Sequence, residues 1–390
     1  MAVNLTNADS ALKSIYLDAV SHQLDNNVNP LLAAIKKSTN DVWGKEVRKL
    51  ATYGINGGIG AGTEEGSLPK ASGNNYKQFV TTLKNLYGVI EISDKAIRAS
   101  ENNAGAFVSL LNSEMEGLIR ASSFNFGRML FGDGSGKLAT PIRVDGKAVS
   151  VDSTRNLMEG MYIDIRSYDG TIYDNMDNLQ ILQIDRANNK VFVQRSFNIE
   201  DAFPDLSQIT IQGSYNNEIT GLGALFNNRT LYGLTKEENA WMNSYKKENV
   251  GEISEMIIQT ALDTIEENSG KGVNFMVCSW GVRRALQQLF ATNKRVIDNM
   301  ELNGGFRAIS YNGIPIVADR FCPAGTMYML NTEDFTLHQL CDWQWLADDD
   351  GKVLKQVPGK PVYTATLVKY ADLICARPNG QGVLTGITEA

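Results

Sequence analysis

The longest regular pattern in the chain runs from Asn103 to Phe131. Phe107, Val108, Leu111, Met115, Leu118, Ile119, Phe126, Met129 and Leu130 recur mostly every three or four positions, the spacing that lines one face of an α-helix. Asn102 or Asn103 can cap its start, and Gly132-Asp133-Gly134-Ser135-Gly136 stops it. About 28 residues at ~1.5 Å each make a rod of roughly 42 Å, longer than a small domain is wide. Taken alone, the pattern suits a core helix and a projecting spine equally well. Its neighbours decide between them.

Ahead of it, residues 8–26 place Leu12, Ile15, Tyr16, Ala19 and Val20 at helical spacing, which predicts a short amphipathic arm. A second short helix is expected from Pro30 to Lys37, with proline in the first turn where a helix tolerates it. The pattern then changes. Val42–Tyr53 and Tyr76–Ser93 are rich in Val, Thr, Tyr and Ile and predict two extended strands. Phe79, Leu83, Leu86 and Ile90 would also suit a helix, but Thr81-Thr82, Gly88 and Val89-Ile90 favour strand. Between the strands lies GINGGIGAGTEEGSLPKASGNN, with seven glycines and almost nothing to bury. A loop this long is uncommon inside a compact domain. Two strands joined by such a tip describe a projecting β-arm, and an isolated two-stranded ribbon is marginal in water. A partner chain is the natural support.

After the long helix, strands are expected at Ala148–Val151, Met161–Arg166, Leu179–Ile184, Val191–Gln194 and Ile209–Gln212. Turn signals at Asp145-Gly146, Glu159-Gly160, Asp169-Gly170 and Asn188-Asn189 separate them. That rhythm predicts a small inserted sandwich or barrel. From about Leu222 the chain reads as α/β. Helices are expected at Glu252–Glu267 and, capped by Ser279, at Val282–Phe290. Strands are expected at Val273–Cys278, Ile314–Ala318, Met327–Leu330, Phe335–Leu340 and Val362–Ala376.

Composition narrows the function. At 390 residues the chain has room for two to four compact units. A net charge of −7 argues against broad phosphate-backbone binding, which needs clustered Lys and Arg. No window approaches the ~18 apolar residues of a membrane span, and the start MAVNLTNADSALKS lacks a secretory pattern, which points to synthesis in the cytosol. Cys278, Cys322, Cys341 and Cys375 are far apart and read as isolated thiols.

Catalytic constellations do not emerge. His22 and His338 stand alone and read as surface or satisfied core residues. Gly57-Gly58-Ile59-Gly60-Ala61-Gly62 lacks the spacing of a nucleotide loop and leads to Thr-Glu-Glu-Gly and Pro69, not to a helix. Gly132–Gly136 is not G-x-S-x-G. Asp348-Asp349-Asp350-Gly351 lacks the further carboxylates of a calcium loop and reads as an acidic turn. Trp343 and Trp345 alternate with Gln344 as a strand surface does. Neither a cofactor nor a metal site is expected.

The order of parts resembles the major capsid protein of tailed bacteriophages with the HK97-type fold. The segments Gly221-Leu222-Gly223-Ala224-Leu225-Phe226, Leu231-Tyr232-Gly233-Leu234 and Trp241 resemble the entry to that family's axial domain. Tyr311–Asp319 and Gly325–Asn331 resemble its late strands, and Leu373 and Pro378-Asn379 its close. The resemblance implies an α+β, HK97-like capsid fold with an inserted small β-barrel or sandwich. Its parts would be an N-terminal arm at 1–40, an E-loop β-arm at 41–92, a peripheral domain with the spine helix at 93–141, the inserted β domain at 142–213, an axial domain at 214–340, and return strands of the peripheral domain with the C-terminus at 341–390.

It further implies a structural protein, not an enzyme, that self-assembles into hexamers and pentamers of an icosahedral head shell around double-stranded DNA. The DNA would be enclosed without sequence-specific binding, which the acidic balance suits. The chain opens without a long charged scaffolding segment, so a separate scaffolding protein is expected, along with a portal and decoration proteins. Contact candidates between subunits are Glu64, Glu65, Lys70 and Lys77 on the arm, and Glu114, Asn125 and Arg128 on the polar face of the spine helix. Lys70 and Lys77 could in principle serve covalent cross-linking as in some relatives, though arm lysines ordinarily serve solubility. An encapsulin-like compartment shell and a soluble ligand-binding protein built on the β module are the alternatives.

Overall fold

The computed structural model describes residues 29–42, 44–95, 104–197, 206–292, 299–302, 306–347 and 353–390. The helix expected within residues 8–26 and the acidic turn at 348–351 lie outside them, as do the side chains of Phe107, Val108 and Leu111.

Asn29 caps α1 (Pro30–Ala34), accepting from the Leu32 N–H at 3.0 Å. The expected continuation to Lys37 does not form. The backbone turns extended at Ile35 and enters β1 (Lys36–Ser38), which pairs in parallel with residues 336–338. β2 (Glu46–Tyr53) and β3 (Asn75–Thr82) make the antiparallel arm, in register from Glu46 opposite Thr82 to Tyr53 opposite Asn75. The single strand expected from Tyr76 to Ser93 is two strands. Leu83 closes the ribbon by donating its N–H to Lys45 O at 3.0 Å, the next pair in register, and β4 (Lys84–Ser93) then joins a different sheet in the body.

The spine helix, α2 (Ala104–Met129), has 26 residues and so runs about 39 Å. Met115, Ile119, Phe126 and Met129 are buried as the spacing predicted, and α2 packs across β4. From Ser122 onward nearly every residue is buried, so the last two turns form a core helix while the middle stays amphipathic.

Next come β5 (Lys137–Ala139), β6 (Pro141–Val151), β7 (Tyr162–Ser167), β8 (Leu179–Asp185), β9 (Lys190–Phe197) and β10 (Leu206–Ile211). They form one antiparallel sheet in the order β5-β10-β7-β8-β9-β6, wrapped around its own core of Val149, Leu157, Ile163, Ile165, Leu179 and Val193. The module starts at Lys137 rather than Ile142, because β5 pairs with β10.

The chain continues through α3 (Leu222–Asn227), the hairpin β11 (Thr230–Leu231) and β12 (Leu234–Thr235), β13 (Tyr245–Lys247), α4 (Glu255–Ser269), β14 (Phe275–Cys278) and α5 (Trp280–Thr292). Then follow β15 (Asn299–Leu302), β16 (Phe306–Tyr311), β17 (Ile314–Ala318), β18 (Met327–Leu330), β19 (Phe335–Trp345), β20 (Lys355–Gln356), β21 (Val362–Cys375) and β22 (Gly382–Leu384). A seven-stranded sheet runs β13-β22-β18-β14-β17-β16-β15. Both of its faces are buried. Phe275, Val277, Tyr328 and Leu330 face the spine side, while Met276, Cys278, Met327 and Met329 face α4 and α5. Double burial is why these strands read as unbroken apolar runs rather than alternating ones.

The other body sheet runs β1-β19-β21-β20, with β4 also paired along β21 from Lys84 opposite Ala371 to Ser93 opposite Val362. The boundary expected at residue 340 therefore cuts through β19, which belongs wholly to this sheet. β22, expected with the peripheral return strands, instead lies inside the seven-stranded sheet. Trp343 and Trp345 are buried in the main core, and the Lys369 ammonium lies 5.2 Å from the Phe126 ring centroid and 5.9 Å from that of Trp343.

Two buried polar groups correct the sequence reading. Arg128, expected on the exposed face of the helix, is buried and ion-paired to buried Glu218, and its Nε and Nη2 donate to Asn125 Oδ1 at 3.2 and 2.6 Å. The partner lies 90 residues away, beyond the reach of helical periodicity. Removing one member of a buried pair strands the other charge. Arg128→Ala should therefore cost about 3–5 kcal/mol in urea denaturation, and Arg128→Met with Glu218→Leu far less; a loss below about 1 kcal/mol, as for a surface pair, would refute this.

His338 on β19 is buried, yet neither ring nitrogen makes a hydrogen bond among the described residues, and Nδ1 is 4.0 Å from Asp41. It is neither the surface nor the satisfied core histidine expected. Burial, reinforced by Lys49 and opposed by Asp41, holds its pKa below the usual 6.5. A depressed value means the unfolded chain takes the proton first. The contribution of neutral His338 is thus complete above the unfolded pKa and lost as pH falls through the folded one. Between about pH 7 and pH 5, stability to urea should fall more steeply in the native chain than in His338→Leu. Parallel pH profiles would overturn the assignment.

Candidate functional site

The arm is built in two halves. Near its root, Val47, Ala51 and Phe79 point inward and are buried, as period-two alternation requires. Beyond the Tyr53–Asn75 pair the strand ladder stops. Local bonds shape the tip, Gly58 N to Asn56 Oδ1 at 2.9 Å and Gly66 N to Thr63 O at 3.0 Å. Ile55, Ile59 and Leu68 lie here, 74, 73 and 90% exposed. Glu64, Glu65 and Lys70 are exposed on the same tip and Lys77 is exposed on β3. The structure thus gathers these four candidates on one projecting element.

The ribbon is held to the body by aromatic packing. Trp241 stacks on Tyr53 with ring centroids 5.0 Å apart and on Phe79 at 5.9 Å, and Tyr232 meets Phe79 at 5.2 Å. Tyr232 has φ 50° and Gly233 φ 81°, the primed two-residue turn that joins β11 to β12. That turn aims Tyr232 O at the Val80 N–H, 3.0 Å away. The Tyr232 hydroxyl donates to Leu373 O at 3.2 Å and accepts from Cys375 N at 2.9 Å. Burial pushes the phenol pKa well above its ordinary value, so the hydroxyl keeps its proton for that donation. The stretch 231–241, expected as the entry to the axial domain, therefore packs beneath the arm. Its signal in the sequence is the Tyr-Gly turn between two leucines, with Trp241 shortly after.

On the spine helix, Glu114 is exposed, and Glu116 and Arg120 form an exposed pair at 3.3 Å. Asn125 is half-buried against Arg128, and Arg128 is enclosed, so only the first of the three helix candidates is presented outward. A polar cavity of about 290 Å³ lies at the foot of the arm, lined among others by Lys84, Asp133, Ser135, Asn216, Glu218 and Thr220.

Among the described residues no group of three His, Cys, Asp or Glu side chains could hold a metal ion, and no helix is long and apolar enough to cross a membrane. Cys278, Cys322 and Cys375 are buried free thiols and Cys341 is half-buried. Burial raises the Cys278 pKa to about 12, which leaves it without thiolate character.

Comparison with known proteins agrees with this geometry. A family model described as the SU10 major capsid protein matches residues 5–353. The capsid asymmetric unit of cyanophage A-1(L) superposes with a TM-score of 0.57 at 12% identity, covering 93% of this chain and 94% of that one. The capsid of Myoviridae phage XM1 gives 0.47 at 10% identity, covering 93% and 92%. The holo-SrpI encapsulin complex of Synechococcus elongatus PCC 7942 gives 0.46 at 9% identity, covering 92% and 88%. No curated protein matches the sequence. The chain belongs to the SU10 major capsid protein family and has the HK97-type capsid fold.

Proposed function

We propose that copies of this chain form hexamers and pentamers that close into the icosahedral head shell of a tailed phage around double-stranded DNA, and that the arm of each subunit lies across its neighbour's spine helix and body sheet. One observation carries this reading: a 21-residue tip, residues 54–74, with three exposed large aliphatic side chains, extends past the last pair of a ribbon that is itself packed on the body. Such apolar surface is covered when a second molecule packs on it.

In this reading residues 41–82 are the E-loop. The sheet containing β4, β19 and β21 is the peripheral domain together with α2, and the seven-stranded sheet with α4 and α5 is the axial domain around which rings form. Identical head-to-tail contacts close into rings, and several modest contacts per subunit sum through effective concentration. Glu64, Glu65, Lys70, Lys77 and Glu114 are the contact residues we assign. Assembly would proceed in the host cytoplasm with a separate scaffolding protein and a portal, and decoration proteins would join the finished shell. The role is structural rather than enzymatic.

Deleting Gly57–Asn74 should leave a folded subunit, with unchanged circular dichroism, that forms no shells in electron micrographs; normal particles would sink the arm assignment. Particles of the intact chain boiled in detergent should run as a single monomer band, since Lys70 and Lys77 act by charge. A ladder of higher bands would overturn that.

A further inference from the structure

Most of the arm's packing is apolar, and apolar contacts set no direction. Two directional contacts hold its angle to the body, the Val80 N–H to Tyr232 O bond at 3.0 Å and a side-chain tie to Asp372. β4 pairs with β21 up to Lys84 opposite Ala371. One residue further along β21 is Asp372, where the ladder ends because the chain bends away at Leu83. Asp372 Oδ2 accepts from the Thr81 hydroxyl, near the end of β3 just before the bend. Oδ1 accepts from Thr220 N at 2.6 Å, and Oδ2 also accepts from Thr220 Oγ1 at 3.1 Å.

Thr220 is itself immobilised. The next residue, Gly221, passes so close to the end of α2 that a side chain there would meet the carbonyl oxygens of Met129, Leu130 and Gly132 at 2.4–2.7 Å. Leu222 N then donates to Leu130 O at 2.8 Å. Asp372 is fully buried, and the groups that hold it are two hydroxyls and backbone N–H groups rather than a cation. Burial raises its pKa against those hydrogen bonds. A carboxylate in such a place is costly, and an apolar residue would pack there more cheaply. What the carboxylate supplies is geometry, since its bonds weaken steeply off-line.

We propose that Asp372 is a positioning residue that sets the arm's angle, tying Thr81 at the arm's root through Thr220 to the C-terminal end of the spine helix. This rests on the arm being the contact element of the shell. The consequence is that the arm and the helix move as one lever.

The test uses the full-length chain with Thr81→Val, which keeps shape and removes the donor, and Thr81→Ser, which restores it. Hydrogen exchange should quicken about tenfold at the arm-root amides of Val80 and Leu83 in Thr81→Val, stay unchanged in the seven-stranded sheet, and return to the native rate in Thr81→Ser. Electron micrographs should show uniform shells for the native chain and Thr81→Ser, and irregular or open assemblies for Thr81→Val. Unchanged exchange, exchange raised equally throughout the fold, or failure of serine to rescue it would overturn the proposal. If the native chain forms no shells, the shell reading fails, while the exchange rates still decide the role of Asp372.

Discussion

Antiparallel pairing along β21 is the constraint on which the rest of the molecule hangs. This one strand takes β19 on one side and β4 on the other, and β19 carries β1 in turn. It thereby joins segments more than 250 residues apart in the chain. Each backbone hydrogen bond contributes only about 1 kcal/mol net, but a buried, unpaired N–H or C=O costs more than that. The ladder therefore fixes where the chain can leave the body. The arm begins where β4 stops pairing, and Tyr232 and Asp372 meet the residues just before that point, at Val80 and Thr81.

Much of this was legible in the sequence. The 3.6-residue period gave the spine helix to within two residues at its C-terminus, and turn dipeptides marked the strands of the inserted module. The glycine-rich stretch 54–74 announced a projecting tip because it has too few apolar residues to build a core of its own. The failures share a cause. Arg128 looks like an exposed helix residue until Glu218 arrives from 90 positions away. The break at Leu83 falls in an unbroken run of strand-forming residues, and only the two different partners of β3 and β4 reveal it. Short strands such as β1 and β22 have no local pattern; long-range pairing makes them strands.

The arm and the core obey different rules. The seven-stranded sheet is closed on both faces by Phe275, Val277, Met276 and Cys278 and their neighbours, so it has little reason to change. The arm's distal half has no such cover: Ile55, Ile59 and Leu68 stay exposed. One chain thus combines a closed core with an open tip, the part that the proposed shell contact would cover.

The position of β22 carries a consequence in time. Residues 382–384 pair with β13 on one side and β18 on the other, so β13, made more than a hundred residues earlier, has no strand neighbour in this sheet until they emerge. Domains ordinarily fold as units during synthesis. Here the seven-stranded sheet stays incomplete at that edge until β22 has been made, and its first strand in chain order waits for its last.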